Sequence, residues 1–271
     1  MHNRLKSRRL RAFTLIELLV VIAIIALLLA VVVPAMRKAK EQAKLTCCMS
    51  NMRQLGMIFQ MYLLDDSLNR FPYSNEKAIA VNGDFEFAYG GNEQTVFGLI
   101  VNLPEPEERL FYPYVEAFDT FKCPADRGMD MPLVGGDWIP SVYESVGNSY
   151  RYNYYLWGNI PREGGVDDPF GILDKTESWV PSPSRYILLH EPPALRWGYG
   201  DLYFIWHYAK DSETTVADPS YAGNRFISNI LFVDAHVGTH DFTEVIQDSA
   251  TVVEPTGQWK WYKPGDETPI W

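Results

Sequence analysis

The sequence contains few cysteines, and their spacing excludes the common zinc modules. Of 271 residues only three are cysteine: Cys47, Cys48 and Cys123. No Cys-x-x-Cys pair and no Cys/His cluster with zinc-ligand spacing occurs, so we expect no structural zinc and no other metal site. With three thiols, the chain can form at most one intramolecular disulfide.

The sequence also lacks the motifs of the common catalytic sites. It has no nucleophile elbow, no phosphate loop and no paired-carboxylate motif, so we expect a protein that is not an enzyme. The residues that can build a metal or acid–base site are His190, Glu191, His207, Asp234, His236 and His240. Histidines beside strands more often pack or lie at the surface, which makes a membrane-tethered metal-dependent hydrolase the least favoured function.

Positive charge is scarce beyond residue 60. Residues 61–271 carry 14 basic and 32 acidic side chains, and nucleic-acid binding requires a basic face. We therefore expect no nucleic-acid partner. Acidic residues cluster at Asp126/Asp130, Asp167/Asp168 and Asp211/Glu213/Asp218. None of these clusters has the spacing of an EF-hand loop, so we expect no cofactor, with a structural calcium ion as the alternative.

What the sequence does have is a long apolar run near its start. Residues 1–12 carry five basic side chains and no acidic one, and sixteen consecutive apolar residues run from Leu18 to Val33. Phe13–Val33 would extend about 30 Å as a helix, the thickness of a bilayer core. A signal peptide and a plain anchor are the alternatives, but no Ala-x-Ala cleavage site follows the run, and a plain anchor leaves Glu17 unexplained.

The residues Ala12-Phe13-Thr14-Leu15-Ile16-Glu17 resemble the processing segment of type IV pilins and type II secretion pseudopilins. The resemblance implies that prepilin peptidase cuts between Ala12 and Phe13 and methylates the new amino terminus. It also implies assembly with other pilin-like subunits, for which Glu17 is required. The family usually has Gly before the cut, where this chain has Ala12. A neighbouring subunit's Glu17 can neutralise the new amine of Phe13 in a low-dielectric bundle.

The helical pattern continues beyond the apolar run. Apolar residues recur at helical spacing at Met36, Ala39, Ala43, Cys47 or Cys48, Met52, Leu55, Phe59 and Tyr62. Pro34 should bend or loosen the helix, and Asp65 and Asp66 should end it. We predict a leader at 1–12, a transmembrane and polymerisation helix at 13–33, its amphipathic continuation at 34–66, and an extracytoplasmic head at 67–271.

The head has short aromatic and β-branched runs that predict strands. These runs are Ser149–Trp157, Arg185–His190, Phe226–Val233 and His236–Phe242, the last two joined as a hairpin around Asp234-Ala235. The predicted fold is therefore α+β and pilin-like: one very long N-terminal helix packs on an antiparallel sheet with long loop insertions.

Four islands of the sequence resemble the large prepilin-like proteins of planctomycete- and lentisphaera-type bacteria that carry an "H-X9-DG" segment. The islands begin at Cys48, Arg70, Phe121 and Asn229, and they occur in the family's order. In this chain His207 lies further from Asp234 than in the family, and Ala235 stands in place of Gly. Cys48 and Cys123 lie in two of these islands, and we expect a disulfide between them that joins the helix to the head outside the cytoplasm. The alternatives are Cys47 in place of Cys48 as the partner of Cys123, and three buried thiols with no bridge.

Together these observations predict a structural subunit of a type IV pilus-like or type II secretion pseudopilus filament. It would cross the bacterial inner membrane once with its N-terminus in the cytoplasm, and its head would be periplasmic or at the cell surface. A minor, non-polymerising subunit is a rival within this class. The alternative from another class is a membrane-tethered surface protein whose aromatic, acidic head binds a glycan or protein.

Overall fold

The structure is a computed structural model that describes most of the long helix and the central part of the head. The residues described are 14–72, 105–131, 137–139, 141–152, 172, 175–180, 182–191, 203–204, 206–208, 215–216, 225–241 and 243. The chain divides into two units, Met1–Gln42 and Ala43–Trp271. The leader, the residues Ala12 and Phe13, and most of the predicted loop insertions lie outside the described residues.

A single helix, α1, spans Leu15–Asp65, and it continues through Pro34. Proline removes one backbone hydrogen bond from a helix interior, but the helical backbone is unbroken at this position. The prediction of one very long helix is confirmed, and its end agrees with the sequence. The carboxylate of Asp66 accepts hydrogen bonds from the backbone N–H groups of Leu68 (3.0 Å) and Arg70 (2.9 Å), so the chain turns away immediately after the last helical residue.

In the second unit, one face of α1 is buried in the core. Its buried residues are Leu45, Cys48, Met52, Leu55, Gly56, Ile58, Phe59 and Leu63. The predicted apolar stripe is correct from Cys48 onward. Met36, the first residue assigned to it, lies in the first unit and is 64% exposed, because it belongs to the apolar surface of the N-terminal half. The structure also distinguishes the adjacent cysteines, since Cys47 is exposed and Cys48 is buried.

The head contains a four-stranded antiparallel sheet in the order β3-β4-β7-β8. These strands are β3 (Arg151–Tyr152), β4 (Ile187–His190), β7 (Ile227–Phe232) and β8 (Val237–Asp241). Each lies within one of the four runs predicted from sequence, and residues 153–157 of the first run lie outside the described part. The hairpin of β7 and β8 pairs Ile227 with Asp241 and Leu231 with Val237, with its turn at Asp234 and Ala235 as expected.

Smaller elements complete the described part of the head. Two short pairs of strands are β1 (Met129–Met131) with β2 (Asp137–Ile139) and β5 (Tyr203–Phe204) with β6 (Thr215–Val216), and a short helix α2 spans Val142–Val146. Single 3-10 turns lie at Pro106–Glu108, Tyr112–Tyr114, Phe118–Phe121 and Glu177–Trp179. Fully buried aromatic residues, among them Phe59, Phe111 and Tyr152, fill the core, which accounts for much of the aromatic content of the sequence.

Close packing and polar contacts together hold α1 on the sheet. A Cβ added at Gly56 would lie 3.0 Å from Cδ1 of Leu231 and 3.2 Å from Cβ of Ala235, so glycine permits the helix to approach the β7–β8 turn. The side-chain amide of Asn229 on β7 donates to the backbone carbonyl of Leu45 on α1 (3.0 Å), and its oxygen accepts from Thr239 of β8 (2.6 Å). Asn229 therefore joins the helix to both strands of the hairpin.

Candidate functional sites

The first candidate site is the start of α1, where Thr14 and Glu17 form a reciprocal cap. The backbone N–H and the hydroxyl of Thr14 donate to Oε2 of Glu17 (2.9 and 2.7 Å), and the N–H of Glu17 donates to Oγ1 of Thr14 (3.3 Å). This arrangement is a capping box, which satisfies two N–H groups that a helix start otherwise leaves unpaired. The carboxylate of Glu17 is thereby fixed at the first turn of the helix, pointing back toward residue 14.

The helix surface that follows this cap is apolar and exposed. The large apolar side chains from Leu15 to Val33 are between 42% and 82% exposed. Among the described residues, α1 is the one helix that is long and apolar enough to cross a membrane, as judged by its length and composition. Exposing a continuous apolar surface of this size to water is unfavourable, so this part of α1 requires a bilayer or other apolar helices around it.

The second candidate site is a buried cluster of four side chains that come from distant parts of the head unit. These residues are Cys48, Cys123, Glu191 and His207, and none is more than 1% exposed. One ligand atom from each, a sulfur, a carboxylate oxygen or a ring nitrogen, lies within 4.8 Å of the other three. Both cysteines are free thiols in the structure.

Each residue of the cluster is held by a different element. Cys48 lies on the buried face of α1, and Cys123 follows the 3-10 turn Phe118–Phe121. Glu191 directly follows β4, and His207 forms an antiparallel bridge to Ile227 at the start of β7. The residue beside His207, Trp206, donates from its indole nitrogen to the carbonyl of Gly128 (3.0 Å), which fixes this segment against the loop that carries Cys123.

Direct polar contacts connect three members of the cluster. Nε2 of His207 lies 3.0 Å from Oε1 of Glu191 and 3.6 Å from Sγ of Cys123. The thiol of Cys123 donates to Oε2 of Glu191 (3.2 Å), and the backbone N–H of Asn229 donates to Oε1 of the same carboxylate (3.0 Å). Nδ1 of His207 has no hydrogen-bond partner within the described part of the chain. Two donors, the Cys123 thiol and the N–H of Asn229, therefore position the Glu191 carboxylate next to the imidazole of His207.

These contacts determine the ionisation of the cluster. Burial alone would lower the pKa of His207, but the adjacent carboxylate of Glu191 outweighs it and raises the pKa to about 10. Burial opposes the ionisation of Glu191, yet the neighbouring His207 brings its pKa below the ordinary value. Burial raises the pKa of the Cys123 thiol well above its ordinary value. In the absence of a further ligand, the cluster is a buried Glu–His ion pair beside a neutral Cys123 thiol.

The structure brings together only part of the predicted histidine site. Glu191 and His207 meet in the buried cluster, whereas His236 pairs through Nδ1 with the carboxylate of Asp234 (2.5 Å) at the exposed turn between β7 and β8. His236 and His240 both contact the ring of Phe232, which is a packing role. Sequence reasoning treated the cysteines and the histidines separately. The signal it missed was that Cys48 and Cys123 lie in two islands of the second resemblance, and that His207 is the histidine compared with the same family.

The acidic residues proposed as calcium ligands are described only at Asp126. Its carboxylate accepts hydrogen bonds from the N–H groups of Gly128, Val142 and Tyr143 (2.9, 3.1 and 2.8 Å). The hydroxyls of Ser141 and Ser149 donate to the same carboxylate at 3.3 and 2.7 Å. In the structure, Asp126 therefore ties the loop after Cys123 to the start of α2. The side chain of Asp130 and the other two acidic clusters lie outside what the structure describes.

Comparisons with known proteins find similarity in the N-terminal segment and over a longer part of the chain. A family model described as "Prokaryotic N-terminal methylation motif" matches residues 7–33. The chain is 36% identical to the type II secretion system core protein G of Pseudomonas aeruginosa over 171 residues, 62% of this chain and 96% of that protein. It is 28% identical to the core protein G of Pectobacterium carotovorum subsp. carotovorum over 141 residues, 52% of this chain and 85% of that protein. No solved structure matches.

Proposed function

The chain belongs to the family of the type II secretion system core protein G, and from this premise we propose that it is a structural, non-enzymatic subunit of a pseudopilus or related type IV pilus-like filament. The observation that carries the proposal is the exposed apolar half of α1, which follows Glu17 in its capping box. An apolar helix that remains exposed in the subunit needs other helices or lipid to cover it, and polymerisation through helices supplies that cover.

We propose that the chain is processed before it assembles. Prepilin peptidase would cut between Ala12 and Phe13 and methylate the new amino terminus, within the segment matched by the methylation motif. The five basic residues of the leader favour its retention in the cytoplasm, which directs the head across the inner membrane. Mass spectrometry of the native N-terminus tests this step, because the mature chain should begin with N-methylated Phe13. A chain that still begins at Met1, or begins beyond Phe13, would contradict it.

Glu17 is proposed to pair with the amine of Phe13 on a neighbouring subunit. The capping box already satisfies the helix start within one subunit, so a stability role and an assembly role of Glu17 have to be separated. Glutamine can replace glutamate in a capping box, but it carries no charge to neutralise an amine. Glu17→Gln therefore keeps the cap and removes the charge, whereas Glu17→Ala removes both.

The assay is the recovery of mature chain in sheared filaments, normalised to the mature chain in membranes. We expect both variants to lose filaments while their membrane levels stay close to that of the unmodified chain. Thr14→Val is the matched control, because it weakens the cap and keeps the carboxylate, and it should still assemble. Normal filaments with Glu17→Gln would show that the cap, and not the charge, is what the filament requires.

We also propose that the head belongs to the "H-X9-DG" prepilin-like group. The support is conformational: Ala235 has φ of 66°, a backbone conformation that favours glycine, and glycine is what that group has at this position. Glycine at position 235 should therefore stabilise the head.

A further inference from the structure

We propose that Cys48, Cys123, Glu191 and His207 bind one Zn²⁺ ion that holds α1 to the head. The site is independent of how the filament assembles, and short-range sequence spacing does not reveal it. Its first support is geometry. In a tetrahedral zinc site with Zn–S near 2.3 Å and Zn–N or Zn–O near 2.0–2.1 Å, neighbouring ligand atoms stand about 3.3–3.8 Å apart.

The distances within the cluster are close to these values. Sγ of Cys123 lies 3.6 Å from Nε2 of His207 and 3.2 Å from the nearest oxygen of Glu191, and that carboxylate lies 3.0 Å from Nε2. The sulfur of Cys48 completes a set of four ligand atoms that all lie within 4.8 Å of one another. Small side-chain movements suffice to close this set around one ion.

The donor atoms select the metal. Two sulfurs and one imidazole nitrogen suit Zn²⁺, whereas Ca²⁺ and Mg²⁺ prefer sites made wholly of oxygen. Nε2 of His207 is the ligating nitrogen, because it faces both Glu191 and Cys123. The backbone N–H of Asn229 donates to Oε1 of Glu191, a supporting contact that is typical of metal-bound carboxylates. Binding replaces the two thiol protons and the imidazolium proton, which leave as Zn²⁺ enters.

Complete burial indicates a structural ion and not a catalytic one. Four protein ligands fill a tetrahedral zinc shell and leave no open position for a substrate, and all four side chains are buried. The ligands come from α1, from the loop after Phe121, from the end of β4 and from the segment before β7. The ion would therefore connect the helix to three separate parts of the head.

A disulfide between Cys48 and Cys123, the expectation from sequence, is the competing use of the same sulfurs. It would consume both thiolates and leave Glu191 and His207 as an isolated buried pair. The two states differ in an experiment, because the zinc-bound chain releases two more reactive thiols when it is denatured with a chelator and the disulfide-linked chain does not. Cys47 reacts in either state, since it is exposed.

The test uses the full chain, purified from membranes in detergent without chelators. We expect one zinc ion per chain by elemental analysis, and three reactive thiols after denaturation with EDTA. The chain reduced, stripped of metal and then titrated with Co²⁺ should give the thiolate charge-transfer and tetrahedral ligand-field bands of a two-sulfur site. Cys48→Ser, Cys123→Ser and His207→Ala should each weaken Zn²⁺ binding by at least about 100-fold, because even supporting residues of metal sites contribute 10- to 100-fold.

Matched controls are available beside the site. Cys47→Ser changes the preceding, exposed cysteine of the same helix, and His236→Ala changes an exposed histidine of the head, so both should retain zinc. If the ligand variants do not fold, the unmodified chain still decides: under reducing conditions its melting temperature should rise with Zn²⁺ and fall with EDTA. A metal-free chain with one disulfide overturns the proposal. The proposal is also overturned if Zn²⁺ does not change the melting temperature of the reduced, metal-free chain. It is overturned as well if Cys47→Ser loses as much zinc as the ligand variants do.

Discussion

The turn between β7 and β8 allows a prediction whose size follows from the structure. Ala235 adopts φ of 66°, and this left-handed conformation costs a residue with a Cβ roughly 1–2 kcal/mol. Ala235→Gly removes that strain. It also gives the unfolded chain more freedom, which costs roughly 0.4–1 kcal/mol. We expect the variant to be more stable than the unmodified chain by about 0.5–1 kcal/mol.

The facing position on α1 should respond in the opposite direction. Gly56→Ala gains roughly 1 kcal/mol of helix propensity, but its new Cβ would lie 3.0 Å from Leu231 and 3.2 Å from the Cβ of Ala235. Leu231 is fully buried and cannot swing into solvent, and overpacking of this kind costs roughly 1–3 kcal/mol. The net expectation is a loss of about 1 kcal/mol.

The two changes should not be additive, because they share a contact. Ala235→Gly removes one of the two tightest contacts that the Cβ at position 56 would make, so the double variant should be more stable than the sum of the single effects by about 0.5–1 kcal/mol. Urea denaturation of the full chain in detergent, followed by tryptophan fluorescence, measures all three free energies of unfolding. Additivity within about 0.3 kcal/mol, or destabilisation by Ala235→Gly alone, would refute the reasoning.

Three further predictions concern the hydrogen bonds of the head. Asp126→Ala strips five donors of their acceptor, including two N–H groups at the start of α2, and should cost about 2–4 kcal/mol in urea denaturation, whereas Ser149→Ala should cost about 1 kcal/mol; equal costs would argue against Asp126 as the residue that ties its loop to α2. Asn229→Ala should cost about 2–3 kcal/mol and Thr239→Val about 1 kcal/mol, because the first removes the hydrogen bonds to both the helix and β8, whereas the second removes only the one to β8; the reverse order would contradict this. The backbone N–H groups of Arg70 and Leu68 keep the pKa of Asp66 below its ordinary value, so the stabilisation that Asp66 gives is present above the unfolded pKa of about 3.9 and is lost as pH falls through the folded pKa. Between about pH 2 and 6, the free energy of unfolding of Asp66→Asn should therefore depend less on pH than that of the unmodified chain. Parallel curves would show that Asp66 does not contribute to the pH dependence of stability.

The parts of the fold that were predicted from sequence are those set by local pattern. The run Phe226–Val233 is β-branched and apolar, and it forms β7 with a difference of one residue at each end. The end of α1 at Asp65 follows from the turn-forming residues after it. The cap of Thr14 and Glu17 was also readable, because Thr-x-x-Glu before an apolar run is the signature of a capping box.

The buried cluster was not predictable in the same way. Cys123 is 68 residues from Glu191 and 84 residues from His207 in sequence, and no local period connects them. Periodicity alone could not decide between Cys47 and Cys48 either, since adjacent helical positions differ by only about 100°. What separates them is the direction of the sheet relative to the helix, and that depends on contacts such as the amide of Asn229 with the carbonyl of Leu45.

The neighbouring pair Cys47 and Cys48 has a consequence for the order of events during folding. In an unfolded chain the two thiols are chemically equivalent toward Cys123, and contacts across so many residues form late because long loops must close first. Only the completed head buries one thiol and leaves the other in solvent. Whether Cys123 stays unpaired with the wrong cysteine therefore depends on the rate of folding relative to the rate of thiol oxidation. A chain oxidised before its sheet closes has two equally available partners for Cys123. A bond to Cys48 removes two of the proposed zinc ligands, and a bond to Cys47 also holds the helix in the wrong rotation.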